Sequence, residues 1–138
     1  MTTILVVDDE PDLEALILQR FRRQIRDGGV AFLFARDGVE ALDLVACHPG
    51  IDLALADLNM PRMDGRETLA AIKTDEQFKA IPVVILTTSG AAPDIVASYQ
   101  HRANAYVTKP FGLEDFESTV RQIDRFYREV ASLPDVRP

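Results

Sequence analysis

The apolar residues of this chain keep changing their period, and that alternation leaves few folds open. Four short runs are apolar throughout: Ile4-Leu5-Val6-Val7, Val30 to Ala35, Leu53-Ala54-Leu55-Ala56 and Val83-Val84-Ile85-Leu86. A fifth, shorter run is Ala105-Tyr106-Val107. Between them apolar residues recur at helical spacing. The sets are Leu13, Leu16, Ile17, Phe21 and Ile25; Val39, Leu42 and Val45; Leu69 and Ile72; and Leu113, Phe116, Val120, Ile123, Tyr127 and Val130. Pro11 with Asp12 and Glu14 marks the first helix start, and Asp27-Gly28-Gly29 its end. Asp37-Gly38 and His48-Pro49-Gly50 bound the second helix, and the fourth is expected from about Pro93 to Arg102. Strands without a polar face belong in a parallel sheet covered on both sides. Strict strand–helix alternation then predicts a doubly wound α/β domain, and right-handed crossovers leave few topologies. The domain is expected over residues 1–131, with 132–138 a short proline-bounded tail.

Composition narrows the function. The chain has 138 residues, enough for one domain, and is 47% hydrophobic and 27% charged. No apolar run approaches a membrane span. Met1-Thr2-Thr3 leads straight into a strand, so no signal peptide is expected. A net charge of −7 argues against nucleic acid and against anionic membranes as partners, since phosphate contacts need clustered Lys and Arg. The single cysteine, Cys47, cannot form an internal disulfide, which fits a cytoplasmic location. Cys47 reads as a small helix residue, His48 and His101 as solvated helix ends, and Arg20, Arg22, Arg23 and Arg26 as a solvated face.

In open α/β sheets ligands bind beyond the carboxyl ends of the strands. Strand one runs into Asp8-Asp9, strand three into Asp57, strand four into Thr87-Thr88-Ser89 and strand five into Thr108-Lys109-Pro110. Three neighbouring carboxylates repel unless a cation neutralises them. A hard divalent ion with oxygen ligands suits them, Mg²⁺ first because it uses few carboxylates and keeps open positions; Mn²⁺ can substitute. A lysine and a hydroxyl opposite the metal can hold further phosphoryl oxygens. A carboxylate can itself attack phosphorus to give an aspartyl-phosphate.

The acid pair Asp8-Asp9, Asp57 within Ala56-Asp57-Leu58-Asn59-Met60-Pro61, Asp64-Gly65, Thr87, and Tyr106 through Lys109-Pro110-Phe111 resemble the response-regulator receiver domain, the CheY-like family. The resemblance runs from residue 3 to about 130. It implies a flavodoxin-like (βα)5 domain with strand order 2-1-3-4-5. It also implies that Asp57 takes a phosphoryl group from a phosphohistidine of a sensor histidine kinase. Asp9, Asp57 and the backbone carbonyl of Asn59 would bind Mg²⁺, and Asp8 would do so directly or through water. Lys109 would pair with the phosphoryl group, Thr87 would close on it as the switch, and the backbone N–H of Thr88 would assist. Tyr106 would swing inward with Thr87; the alternative is a half-buried structural tyrosine. The bond before Pro110 would be cis. Asn59 and Ser89 flank the site and could tune hydrolysis.

A closer resemblance is carried by Ile81 through Ser89, Asp94-Ile95, Ser98-Tyr99 and Ala103-Asn104-Ala105-Tyr106. These look like the single-domain regulators paired with bacterial phytochromes, a subgroup that tends to dimerise. The expected function is a stand-alone response regulator that catalyses only its own phosphoryl transfer and autodephosphorylation and signals through an unknown downstream protein. A phosphorelay intermediate or phosphate sink is the alternative. An aspartyl-nucleophile phosphatase of the haloacid-dehalogenase type would want a second aspartate where Asn59 stands. A nucleotide enzyme would want a glycine-rich loop where Asp8-Asp9-Glu10-Pro11 stands.

Overall fold

The computed structural model describes residues 2–58, 63–87, 91–109 and 113–131, and of residues 92, 113, 114, 116 and 128 the backbone only. Five strands alternate with helices: β1 (Thr2–Val7), α1 (Pro11–Arg20), α2 (Arg22–Arg26), β2 (Val30–Ala35), α3 (Gly38–Cys47), β3 (Leu53–Ala56), α4 (Gly65–Thr74), β4 (Val83–Thr87), α5 (Ala92–Gln100), β5 (Ala105–Thr108) and α6 (Leu113–Arg125). All strand pairs are parallel and the order is β2-β1-β3-β4-β5. This is the expected doubly wound sheet. β3 and β4 are buried along their whole length, which is why their sequences carry no polar face.

Successive strand residues feed two separate cores. Leu5, Val7, Ala54, Ala56, Val83 and Ile85 pack with Ala41 and Val45 of α3 and Leu69 and Ile72 of α4. Ile4, Val6, Leu53, Leu55, Val84 and Leu86 pack on the opposite face with Leu13, Ile17 and Phe21 and with Val120 of α6. The order reverses between β1 and β3, so a crevice opens above the carboxyl ends of those two strands.

Three helices depart from the simple periodic expectation. The first breaks at Phe21 (φ −104°, ψ 17°) into α1 and α2, although Phe21 N–H still donates to Ile17 O and Phe21 O still accepts from Ile25 N–H. Phe21 is buried edge-on against Phe32, at 5.2 Å between centroids, and the Arg121 guanidinium lies 4.5 Å over its ring. Filling that slot distorts the local turn. The last helix ends in a wider π turn, Phe126–Val130, which leaves Phe126 and Val130 exposed. The fourth helix stops before Arg102, which adopts φ +70°.

Candidate functional site

Register brings the site residues to one level. Val7 pairs with Ala56, and Asp57 N–H donates to Val7 O at 2.9 Å, so Asp8 and Asp57 leave adjacent strands side by side. Thr87 pairs with Thr108, and Lys109 N–H donates to Thr87 O at 2.5 Å, which sets Lys109 beside the end of β4. Asp8, Asp9 and Asp57 each offer a carboxylate oxygen, and these oxygens lie within 4.8 Å of one another. Asp9 is exposed, while Asp8 and Asp57 have side chains only 6% and 13% exposed. Such a set fits a hard divalent cation approached from the solvent side.

The Lys109 ammonium bonds Asp8 Oδ2 at 2.5 Å and reaches Asp57 Oδ2 at 3.5 Å. Its closer partner is therefore Asp8. Asp8 Oδ1 accepts from Glu10 N–H at 3.0 Å, so both Asp8 oxygens are engaged. Burial raises the Asp8 pKa, against the lowering by Lys109 and the Glu10 N–H. Burial alone would lower Lys109, but the Asp8 hydrogen bond and the charges of Asp8 and Asp57 outweigh it and leave its pKa raised. The ammonium thus stays charged inside a carboxylate cluster.

Thr87 is fully buried, and its Oγ1 has no hydrogen-bond partner among the described residues. A hydroxyl left this way costs about 1–3 kcal/mol. Tyr106 is partly buried against the core of the α3–α4 face. The roles expected of Asn59, Thr88 and Ser89 and the cis bond before Pro110 fall outside the described residues.

Three features escaped the sequence reading. Asp64 caps α4 by accepting from Glu67 N–H at 3.0 Å, as Asp37 caps α3 from Glu40 N–H at 3.0 Å. Gly65 lies against the chain leaving β3: Gly65 N–H donates to Leu58 O at 3.1 Å, and a Cβ on Gly65 would sit 2.1 Å from Asp57 O. Both features lie in the quoted motif Asp64-Gly65, whose signal was the Asp-Gly pair before an apolar helix. The third, buried Lys73, donates to Lys79 O and Ile81 O at 3.1 and 2.6 Å and closes the turn before β4. A lysine within a helix gives no such signal.

The chain is similar to known proteins along most of its length. The family profile described as "Response regulator receiver domain" matches residues 4–121. The probable methanogenesis regulatory protein FilR2 of Methanothrix harundinacea is 38% identical over 129 residues, covering 90% of this chain and 82% of that protein. Response regulator Rcp1 of Synechocystis is 37% identical over 137 residues, covering 95% and 92%. The crystal structure of the Mn²⁺-bound form of Rcp1 has a TM-score of 0.84 at 36% identity, over 97% of this chain and 99% of that one. That of the phosphorylated cyanobacterial phytochrome response regulator RcpA has a TM-score of 0.88 at 36% identity, over 96% and 98%.

Proposed function

The chain belongs to the response regulator receiver domain family, and from that premise we propose that it is a phosphorylation switch of a two-component relay whose phosphoacceptor is Asp57. The observation that carries the proposal is the meeting of Asp8, Asp9 and Asp57 with Lys109 at one sheet edge. An Asp57 carboxylate oxygen attacks the phosphorus of a phosphohistidine on a sensor histidine kinase. The P–N bond breaks and its electron pair returns to the imidazole. Lys109, already 3.5 Å from Asp57, neutralises the arriving phosphoryl oxygens. Thr87 Oγ1, without a hydrogen-bond partner among the described residues, gains an acceptor in them, and Tyr106 follows it inward. Asp8, Asp9 and Asp57 would hold a divalent cation, Mg²⁺ with Mn²⁺ as a substitute, which supplies charge neutralisation at the phosphoryl oxygens. The Asn59 carbonyl would complete its ligands, the Thr88 N–H would assist, and Asn59 and Ser89 would tune hydrolysis. In this reading the chain acts in the cytoplasm as a domain over residues 1–131 followed by a tail, and turns over no external substrate.

Similarity to RcpA, a cyanobacterial phytochrome response regulator, supports a bacterial phytochrome as the kinase, and a second copy of this chain is a further proposed partner. Among the described residues no helix is long and apolar enough to cross a membrane. The test is incubation with a small phosphodonor and Mg²⁺, read by intact mass. One acid- and base-labile phosphoryl group is expected, absent in Asp57→Asn and without Mg²⁺. Persistent labelling of Asp57→Asn would overturn the assignment. Transfer from a phosphorylated phytochrome kinase that is no faster than from a kinase of unrelated input would remove the phytochrome partner.

A further inference from the structure

β2 is an edge strand: it pairs with β1 on one side, and no strand among the described residues lies on the other. Gly29 O accepts from Thr2 N–H at 3.2 Å and Ala35 O from Asp8 N–H at 2.9 Å, so the odd-numbered residues turn their polar backbone groups to β1. Val30, Phe32 and Phe34 turn theirs to the open side. The next outward N–H, that of Arg36, is taken by Glu40 Oε2 at 3.1 Å, so the open stretch ends there. Edge strands commonly carry a charge, a proline or a bulge that blocks further pairing. Val30–Ala35 reads VAFLFA in unbroken register with β1 and carries none of these. The rings of Phe32 and Phe34 stack at 6.2 Å between centroids and are only partly buried.

The helix beside this edge carries a matching charge pattern. Glu14 lines a cleft with Phe34, Ala35 and Arg36, so its side of α1 flanks β2. Leu18, four residues on, shares that side and is 43% exposed. Helical bonding continues through Phe21, so exposed Arg22 is next in the row. Glu14 lies beside Phe34 and Phe21 packs on Phe32, so the row runs antiparallel to β2 with Leu18 near the middle of the strand. We infer that the open edge of β2 is the docking surface for a second copy of this chain, paired antiparallel across a two-fold axis at Phe32. Phe32 then exchanges N–H···O bonds with Phe32 of the second copy, and Val30 exchanges them with Phe34 in both directions. The same axis brings Leu18 against Leu18 and sets Glu14 opposite Arg22 at two symmetric contacts. This charge complementarity, acidic at the start of the row and basic at its end, is what selects a second copy over another partner strand. The inference rests on the proposal of a second copy as a partner and names the surface that it uses.

The test uses the full chain, with sedimentation velocity over a dilution series and residue-resolved hydrogen exchange. Wild type should show a monomer–dimer equilibrium. The Phe32 and Phe34 amides should exchange more slowly in concentrated than in dilute protein, while the Leu33 amide, already bonded inside the sheet, changes less. Glu14→Arg and Arg22→Glu each set like charges together at both symmetric contacts and should weaken dimerisation about tenfold. The double variant exchanges the two charges and should restore association, which a merely damaged fold would not do. A dimer whose Phe32 and Phe34 amides exchange as fast as in dilute protein would overturn this surface while leaving the second copy as partner. So would a double variant as weak as the singles. A chain that stays monomeric would overturn both. Slowing of these amides only on addition of a sensor kinase would overturn the second copy and assign the edge to that kinase.

Discussion

Replacing Gly65 with alanine tests how tightly α4 is pressed onto the chain at Asp57, the proposed phosphoacceptor. The added Cβ would lie 2.1 Å from Asp57 O, 2.8 Å from Asp57 C and 2.9 Å from Leu58 Cα. All three are backbone atoms, so no rotamer change relieves the overlap. Real Cβ contacts essentially never fall below 3.0 Å, and in a close-packed interior the helix start and the Asp57 peptide must part by about 1 Å. Overpacking of this kind costs about 1–3 kcal/mol, and alanine's better helix propensity returns less than about 1 kcal/mol at a first-turn position. A net loss of about 2 kcal/mol in a chain of this size lowers the melting temperature by roughly 6–10 °C. Displacing the reacting carboxylate by about 1 Å should also slow labelling from a small phosphodonor by on the order of 10²-fold. Gly38→Ala is the internal comparison. Its Cβ would meet Thr68 Oγ1 at 2.0 Å and Met63 Cγ at 2.5 Å, and the buried Thr68 hydroxyl would have to give up its bond to Asp64 O, but none of its three nearest contacts is an atom of Asp57. It should also cost stability, while labelling should survive in the folded protein. The reasoning fails if Gly65→Ala melts within about 2 °C of wild type and labels at a similar rate.

Lys109→Met should bind Mg²⁺ about tenfold more tightly, because an ammonium competes for the same carboxylates, while losing the switch response; equal affinity by calorimetry would refute that competition. Asp37→Ala removes the acceptor of the Glu40 N–H and should cost about 1 kcal/mol in urea unfolding with labelling intact; an unchanged midpoint would show that the cap is idle. Lys73→Met strips the donor from Lys79 O and Ile81 O and should cost about 1–3 kcal/mol. Burial lowers the Lys73 pKa below 10.5, so the unfolded chain holds this proton to higher pH than the folded one. The stability of wild type relative to Lys73→Met should therefore rise with pH through the window below 10.5; a flat difference between neutral and alkaline melts would contradict the shift.

Much of the fold was legible because the strands are short and the central β3 and β4 are buried along their whole length. Leu53–Ala56 appears where its apolar run predicts it, and Val83-Val84-Ile85-Leu86 gains only Thr87. The strand order followed from family resemblance, since apolar periodicity carries no information about which strands are neighbours. The break at Phe21 and the π turn at Phe126–Val130 were not legible. Phe21 packs on Phe32 and under Arg121, partners that helical spacing does not reveal, and that spacing continues through both breaks.

The residue types of the site were set by local sequence: acids, a threonine and a lysine each follow an apolar run, and strand direction in a parallel sheet delivers every such end to one edge. Only the tertiary structure decided which of them touch. The register Val7 to Ala56 and Thr87 to Thr108 is a property of paired backbones, and it makes Asp8 rather than Asp57 the nearer partner of Lys109. The burial that leaves Thr87 Oγ1 without a partner among the described residues arises the same way. A hydrogen bond or an ion pair depends on distances of a few ångströms between residues far apart in sequence. Pairing and packing set those distances, whereas periodicity encodes only the face each residue turns inward.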